Sequence, residues 1–355
     1  MSEHFIGTMP VQERHRFDGA RLEAYLTAHV EGFRGPMEVE QFKGGQSNPT
    51  FLLRAGSGRY VLRRKPPGRL LPSAHAVDRE YRVISALAAS EVPVARAHCL
   101  CEDESIIGTA FYVMAYVDGR VLWDGAPAGM RADERRAIYA EMNRVIAALH
   151  RVDYAALGLA DFGKAGNYFE RQIARWSRQY KASETETIEA MERLIEWLPR
   201  NIPAGDETVV VHGDFRLDNL IFHPHEPRVL AVLDWELSTL GHPLADFSYH
   251  CMAWHVSPGP FRGLVGLDLE KLGIPSEDEY VAMYCRATGR GPIDRDEWNF
   301  YIAYNLFRAA GISQGVMGRV KDGTATSQHA REVGSVARWL AEKGWEVVQG
   351  IAAKG

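Results

Sequence analysis

Two acids and an amide in this chain stand at a spacing that suits phosphoryl transfer. They lie in Val209-Val-Val-His-Gly-Asp-Phe-Arg-Leu-Asp-Asn-Leu-Ile-Phe222 and, shortly after it, Val229-Leu-Ala-Val-Leu-Asp-Trp-Glu236. Moving a γ-phosphoryl group needs one carboxylate beside the attacking hydroxyl, and separate oxygen ligands that hold Mg²⁺ against the nucleotide phosphates. Asp214 suits the first role, Asn219 and Asp234 the second. The apolar run 209–211 reads as a strand that delivers His-Gly-Asp at its end, and Asn219 follows Asp214 by five residues, enough to turn the chain back. Residues 220–222 and 229–233 read as two short strands joined by a His-Pro-His-Glu-Pro turn, which puts Asp234 at a strand end. Within the catalytic motif, His212 is read as orienting the loop by hydrogen bonds rather than transferring protons.

The elements upstream of this motif suit a nucleotide. Residues 37–42 read as a strand, Lys43-Gly-Gly-Gln-Ser-Asn48 as a polar loop, and 50–54 and 59–63 as paired strands around Gly56-Ser-Gly58. Backbone amides approach phosphate oxygens only where no side chain intervenes, so Gly44, Gly45, Ser47 and Asn48 are candidate phosphate contacts. Alternation along Tyr60-Val-Leu-Arg63 sets Val61 and Arg63 on one face. Arg64 and Lys65 read as a solvated strand end. A helix is expected over 73–87, with Ser73 as its cap and Val77, Tyr81, Ile84 and Leu87 as its apolar stripe.

His-Gly-Asp-x-x-x-x-Asn followed by a hydrophobic residue and Asp-Trp resembles the catalytic and metal-binding motifs of the aminoglycoside phosphotransferase and choline kinase superfamily, which shares the protein-kinase fold. Protein kinases carry His-Arg-Asp and Asp-Phe-Gly at these places. His-Gly-Asp and Asp-Trp-Glu are usual in the small-molecule kinases of this superfamily and argue against a protein substrate. The resemblance implies an α+β, protein-kinase-like fold of two lobes. Residues 1–117 would form a nucleotide-binding lobe, an antiparallel sheet with one helix. Residues 118–355 would form a larger, mainly helical lobe with the catalytic loop, metal site and substrate pocket.

The same resemblance implies ATP or GTP with Mg²⁺ as cofactors. It sets Arg63 where kinases have a phosphate-contacting Lys, with Glu80 as its helix partner. It sets the backbone of Met114 and Tyr116 beside the base, and makes Asp246 the acid that braces the catalytic loop. Residues 64–77, 238–246 and 304–315 resemble a narrower branch, the phosphotransferase-like domain found alone in bacteria or fused to acyl-CoA dehydrogenases. In that branch an Arg at the Lys position is ordinary. The implied acceptor is a small hydroxylated molecule, a hydroxy acid or its acyl-CoA thioester. Two rival readings are an aminoglycoside phosphotransferase and a nucleotide-binding pseudokinase that regulates a partner such as an acyl-CoA dehydrogenase.

Composition narrows the field further. A chain of 355 residues with 46% hydrophobic residues can bury the cores of two lobes. The net charge of −5, with both signs interspersed, gives no electrostatic case for nucleic acid or a membrane surface. No run is long enough to span a bilayer and Met1-Ser-Glu-His does not open a signal peptide, so a cytoplasmic location is expected. Cys99, Cys101, Cys251 and Cys285, irregularly spaced, read as reduced thiols.

Helical periodicity dominates the remainder. Leu22, Tyr25, Leu26, His29, Val30 and Phe33 form a packing stripe behind the N-cap candidate Asp18. Ile138, Met142, Val145, Ile146 and Leu149 mark one long helix, and Ile188, Met191, Leu194 and Leu198 another, opened by a capping box at Ser183 and Glu186. Trp254 and His255 are candidates to line the acceptor pocket. So are Tyr301, Tyr304, Asn305 and Arg308, which share one helical face. Arg308 offers two parallel donors to a substrate carboxylate, which favours an acid over a polycationic antibiotic.

Overall fold

Alternating apolar residues over the first third of the chain build an antiparallel sheet with both faces covered, and that sheet positions half of the candidate site. The computed structural model describes residues 7–43, 48–66, 76–127, 129–259, 262–323 and 328–352. Gly44, Gly45, Ser47 and the cap candidate Ser73 lie outside them. Two compact units emerge. The first comprises the chain up to Trp123 together with Tyr154–Phe162 and Asp218–Ser238; the second comprises Asp124–Asp153, Gly163–Leu217 and the chain from Thr239 onward.

In the first unit the elements are β1 (Thr8–Met9), α1 (Gly19–His29), β2 (Met37–Phe42), β3 (Thr50–Ala55), β4 (Gly58–Arg64), α2 (Val77–Leu87), β5 (Ala97–Cys101) and β6 (Phe111–Ala115). The strands form a six-stranded sheet in the order β1-β2-β3-β4-β6-β5, every neighbouring pair antiparallel. Asp18 caps α1 by accepting from the backbone N–H of Ala20 and Arg21. Leu22, Leu26, Val30 and Phe33 then pack on Phe51, Leu53, Tyr60, Leu62, Phe111 and Val113, one face of the sheet.

The opposite parity of β4 and β6 carries Val61, Arg63, Tyr112 and Met114. Arg63 and Tyr112 stand directly across from each other in the register. Arg64, one residue on, therefore faces the α1 side and is buried, contrary to its reading as a solvated end. Its guanidinium donates to the carbonyls of Ile107 and His15 and lies over the rings of Phe17 and Phe51, so the long stem packs while the head finds backbone oxygens. His29 also departs from expectation: it is exposed and stacks on Tyr25 rather than entering the core.

A second, smaller sheet in the same unit pairs Leu220–Phe222 with Val229–Val232, and Arg120–Val121 with the outer edge of Leu220–Phe222. This is the hairpin expected from the alternating runs.

The second unit is helical: α3 (Ala132–His150), α4 (Tyr168–Ala182), α5 (Glu189–Trp197), α6 (Pro243–Cys251), α7 (Leu269–Leu272), α8 (Glu277–Thr288), α9 (Arg295–Lys321), α10 (Gln328–Ser335) and α11 (Ala337–Ala352). α9 is buried along most of its length, with α4, α5, α6, α10 and α11 packed around it, because apolar and small residues occur on all its faces. The expected capping box of α5 does not form. Ser183 closes α4 instead, its hydroxyl donating to the Gln179 and Tyr180 carbonyls, and α5 starts only at Glu189. A short antiparallel pair, Val209–Val211 with Thr239–Gly241, leads into His-Gly-Asp. No helix among the described residues is long and apolar enough to cross a membrane.

Candidate active site

In the first unit, one guanidinium gathers three carboxylates. Arg63 Nε lies 3.2 Å from Glu80 Oε2, and Arg63 Nη2 lies 3.0 Å from Asp234 Oδ1 and 3.9 Å from Glu236 Oε2. Central-strand register fixes Arg63, while α2, which packs on β5 and β6, turns Glu80 inward until it is 1% exposed. Tyr112 OH donates to Glu80 at 3.1 Å, and Asn48 Nδ2 donates to Glu80 at 2.9 Å and to Glu236 at 3.4 Å.

Burial disfavours the Arg63 charge, but Glu80, Tyr112 and Asp234 outweigh it and hold the guanidinium above its ordinary range. Burial likewise pushes the Glu80 carboxyl up. Arg63 and the donors from Tyr112 and Asn48 oppose that push, and the charge of Asp234 adds to it.

Asp234 adopts a left-handed backbone, φ 63° and ψ 59°, a region that Asp tolerates better than most residues. The turn aims its side chain from the strand end toward Arg63. Leu233 N–H donates to the Asn219 carbonyl at 2.8 Å, so Asn219 and Asp234 stand together at one end of the hairpin. Met114 is buried in β6. Tyr116 follows that strand, its N–H bonded to the Arg59 carbonyl and its ring 4.3 Å beneath the Arg59 guanidinium.

In the second unit, a buried acid ties down the catalytic-motif backbone. Asp246 accepts from the N–H of His212 at 2.7 Å and of Gly213 at 2.8 Å, and its Oδ2 lies 3.2 Å from His150 Nε2. The other ring nitrogen of His150 meets Tyr284 OH at 2.7 Å. Burial works to raise the Asp246 carboxyl, but the hydrogen bond and charge of His150, with His212, hold it below the ordinary range. His212 is fully buried, and its Nδ1 accepts the Asp214 N–H at 3.2 Å. Gly213 has φ +83°, a left-handed geometry open to glycine, which accounts for Gly where protein kinases have Arg.

Asp214 Oδ1 accepts from Tyr249 OH at 2.6 Å, and the same oxygen pairs with the charge of Arg216, whose Nε lies 3.0 Å away without donating a hydrogen bond to it. Arg308 lies behind them. Its Nη2 donates to the Gly213 carbonyl at 2.8 Å, and its guanidinium carbon sits 4.9 Å from the Tyr249 ring centroid.

The other acceptor-pocket candidates have partners inside the second unit. Trp254 Nε1 donates to the Pro275 carbonyl at 3.0 Å, and His255 Nε2 lies 2.6 Å from Glu277 Oε1. Tyr301 OH donates to Glu297 at 2.6 Å, and its ring stacks with Phe169 and His242. Asn305 Nδ2 donates to Ser248 Oγ at 2.7 Å and to the Ala245 carbonyl at 3.0 Å, fastening α9 to α6. Tyr304 is buried, edge-on to Phe169.

Sequence reasoning passed over Tyr112, Arg216, Glu236 and Tyr249. Three of them had a signal. Arg216 and Glu236 each stand two residues after a motif acid, and Tyr249 stands one helical turn after Asp246.

Residues 38–301 match the family model of the phosphotransferase enzyme family, named APH. The chain belongs to this family. Among curated relatives of this chain, acyl-CoA dehydrogenase family member 10 of Mus musculus is 49% identical over 96% of the chain and 32% of its own length. Member 11 of Homo sapiens is 43% identical over 95% of the chain and 44% of its own length. The chain thus spans less than half the length of these relatives.

Among solved structures, a Ralstonia eutropha protein assigned as an aminoglycoside phosphotransferase has a TM-score of 0.88 at 59% identity, covering 94% of this chain and 99% of its own. Aminoglycoside phosphotransferase APH(4)-Ia in a ternary complex with ADP and hygromycin B has a TM-score of 0.59 at 14% identity, covering 92% of this chain and 97% of its own; at that distance the likeness is one of fold. The chain has the expected α+β, protein-kinase-like fold, an antiparallel-sheet unit and a mainly helical one. It is similar to the domain that accompanies acyl-CoA dehydrogenases.

Proposed function

We propose that the chain transfers the γ-phosphoryl of ATP, or of GTP, to the hydroxyl of a small molecule, with Mg²⁺ as the metal. The observation that carries this reading is the completeness of the acid set. Asp214 stands on a braced loop with its carboxylate oriented, and Asn219 and Asp234 share one end of a hairpin. A module that only binds nucleotide has no need of an oriented proton acceptor.

In the proposed reaction Asp214 orients the acceptor hydroxyl and takes its proton as the oxygen–phosphorus bond forms and the γ-phosphorus parts from the β,γ-bridging oxygen. Arg63, held by Glu80, contacts the nucleotide phosphates. Asn48 and its neighbours Gly44, Gly45 and Ser47 supply phosphate contacts, and Met114 and Tyr116 flank the base.

Asn219 and Asp234 would hold the metal. Asp234 Oδ1 already faces a cation, the Arg63 guanidinium, and carboxylate and amide oxygens are the hard donors that Mg²⁺ takes. When bound, Mg²⁺ neutralises developing charge on the phosphate oxygens.

The acceptor in this reading is a hydroxy acid or its acyl-CoA thioester, and the names of the relatives, acyl-CoA dehydrogenase family members, support only its acyl-CoA part and such a dehydrogenase as a partner. A pseudokinase reading draws on Arg63 in place of Lys. Against it, the guanidinium forms the ion pair to the helix Glu that kinases require of the Lys.

Two variants test the reading. Asp214→Asn should bind nucleotide as wild type does and lose about 10²- to 10⁴-fold in turnover; wild-type turnover in this variant rules out the base. Asp234→Ala should lose the Mg²⁺-dependent part of nucleotide binding measured by calorimetry, and binding unaltered with Mg²⁺ contradicts the ligand assignment.

A further inference from the structure

We infer that Tyr249, seated by Arg308, is the positioning residue of Asp214: the phenol fixes the plane of the base carboxylate, and the arginine fixes the phenol and the loop together. The inference rests on the phosphotransfer reading and deepens it. The terminal torsion of an Asp side chain is soft and roughly two-fold, so backbone bracing alone does not orient its carboxylate. Asp246 fixes the main chain of His212 and Gly213, but the plane of the Asp214 carboxylate needs its own restraint.

The 2.6 Å bond from Tyr249 OH to Oδ1 supplies that restraint. Burial, followed by the Asp214 charge, raises the phenol's pKa and keeps it a donor. Arg216 reaches the same oxygen, but its side chain is 35% exposed and its hold correspondingly softer.

Arg308 joins two elements of this arrangement. It lies 4.9 Å over the Tyr249 ring, a cation–π contact, and it donates to the Gly213 carbonyl, one residue before Asp214. It thereby ties the helix face that carries the phenol to the loop that carries the base. This role needs no substrate carboxylate, the partner its forked donors suggest from sequence.

The decisive variant is Tyr249→Phe in the full-length chain, which keeps the ring over Arg308 and removes only the hydroxyl. A base whose orientation is loosened works more slowly without binding less, so kcat should fall about tenfold with KM for nucleotide and acceptor unchanged. Adding Tyr249→Phe to Asp214→Ala should cost nothing more in rate. Wild-type kcat in Tyr249→Phe, or a loss confined to KM, overturns the inference. Arg308→Lys keeps the charge but not the planar fork and should show a smaller kcat loss of the same kind; undiminished kcat removes Arg308 from the arrangement.

If the wild-type chain phosphorylates no acceptor, the phosphotransfer reading fails by itself, and a thermal double-mutant cycle still decides the contact. The Tm change caused by Tyr249→Phe should shrink when residue 214 is Ala. Equal changes in both backgrounds overturn the inference.

Discussion

Glu80 in the sheet unit and Asp246 in the helical unit are both buried carboxylates that hold a functional element, yet their acidities move in opposite directions. Burial penalises each. Glu80 shares its single cation with Asp234 and Glu236, so neighbouring negative charge adds to the penalty and its carboxyl rises. Asp246 has two backbone N–H donors and a histidine to itself, and its carboxyl falls. The lesson is that a buried acid is stabilised by donors it does not share. The Arg63 group is short of positive charge, as the proposed seat of a divalent cation should be, whereas the Asp246 group is complete without a ligand.

The sharpest break of this comparison is removal of the shared cation. Arg63→Met leaves three carboxylates without their cation and should cost about 3–5 kcal/mol in urea unfolding; a cost under about 1 kcal/mol would show that the sheet unit does not depend on the ion pairs. Asp246→Asn comes next. It weakens charge-assisted bonds to two backbone donors and should cost about 1.5–3 kcal/mol, with a fall in kcat as the loop loosens.

The pH dependence separates the two acids by sign. A carboxyl lowered on folding contributes stability that is present above its unfolded pKa and lost as pH falls through its folded value, so Asp246→Asn should flatten the acid limb of the stability curve below about pH 4. For Glu80 the sign reverses. A carboxyl raised on folding costs stability as pH climbs from the unfolded carboxylate range toward the folded value, so Glu80→Gln should gain on wild type over that rise. At neutral pH it should stay within about 1 kcal/mol of wild type, because Arg63 keeps Asp234 and Glu236. A Glu80→Gln variant as damaged as Arg63→Met would erase the distinction.

The family resemblance supplied Glu80 as the partner of Arg63, and local pattern was enough to read the hairpin of the metal-ligand candidates and the strand alternation that sets Val61 and Arg63 on one face. Each depends on residues a few positions apart or on a single register. Arg64 was misread because its burial depends on which face α1 covers, a tertiary fact. Ser183 was misread because two helix ends competed for it and the earlier one prevailed. The partners of Asp214 were illegible for the same reason as Arg64. Tyr249 is 35 residues away in sequence, and Arg308 meets Gly213 across 95. Arg308 could be recognised as a polar intrusion on a helix face, but not as a donor to a backbone carbonyl. The motif holds the residues proposed to do chemistry; what orients them arises only when α6 and α9 pack.

The most direct measurement of the central claim is incubation of the purified chain with Mg²⁺ and ATP and a panel of hydroxy acids, hydroxyacyl-CoA thioesters, choline-like alcohols and aminoglycosides, with products weighed by mass spectrometry. The account predicts one acceptor class heavier by a phosphoryl group, with ADP released in equal amount, and neither product from Asp214→Asn. ATP bound with no acceptor phosphorylated, or the same product from Asp214→Asn, would contradict it.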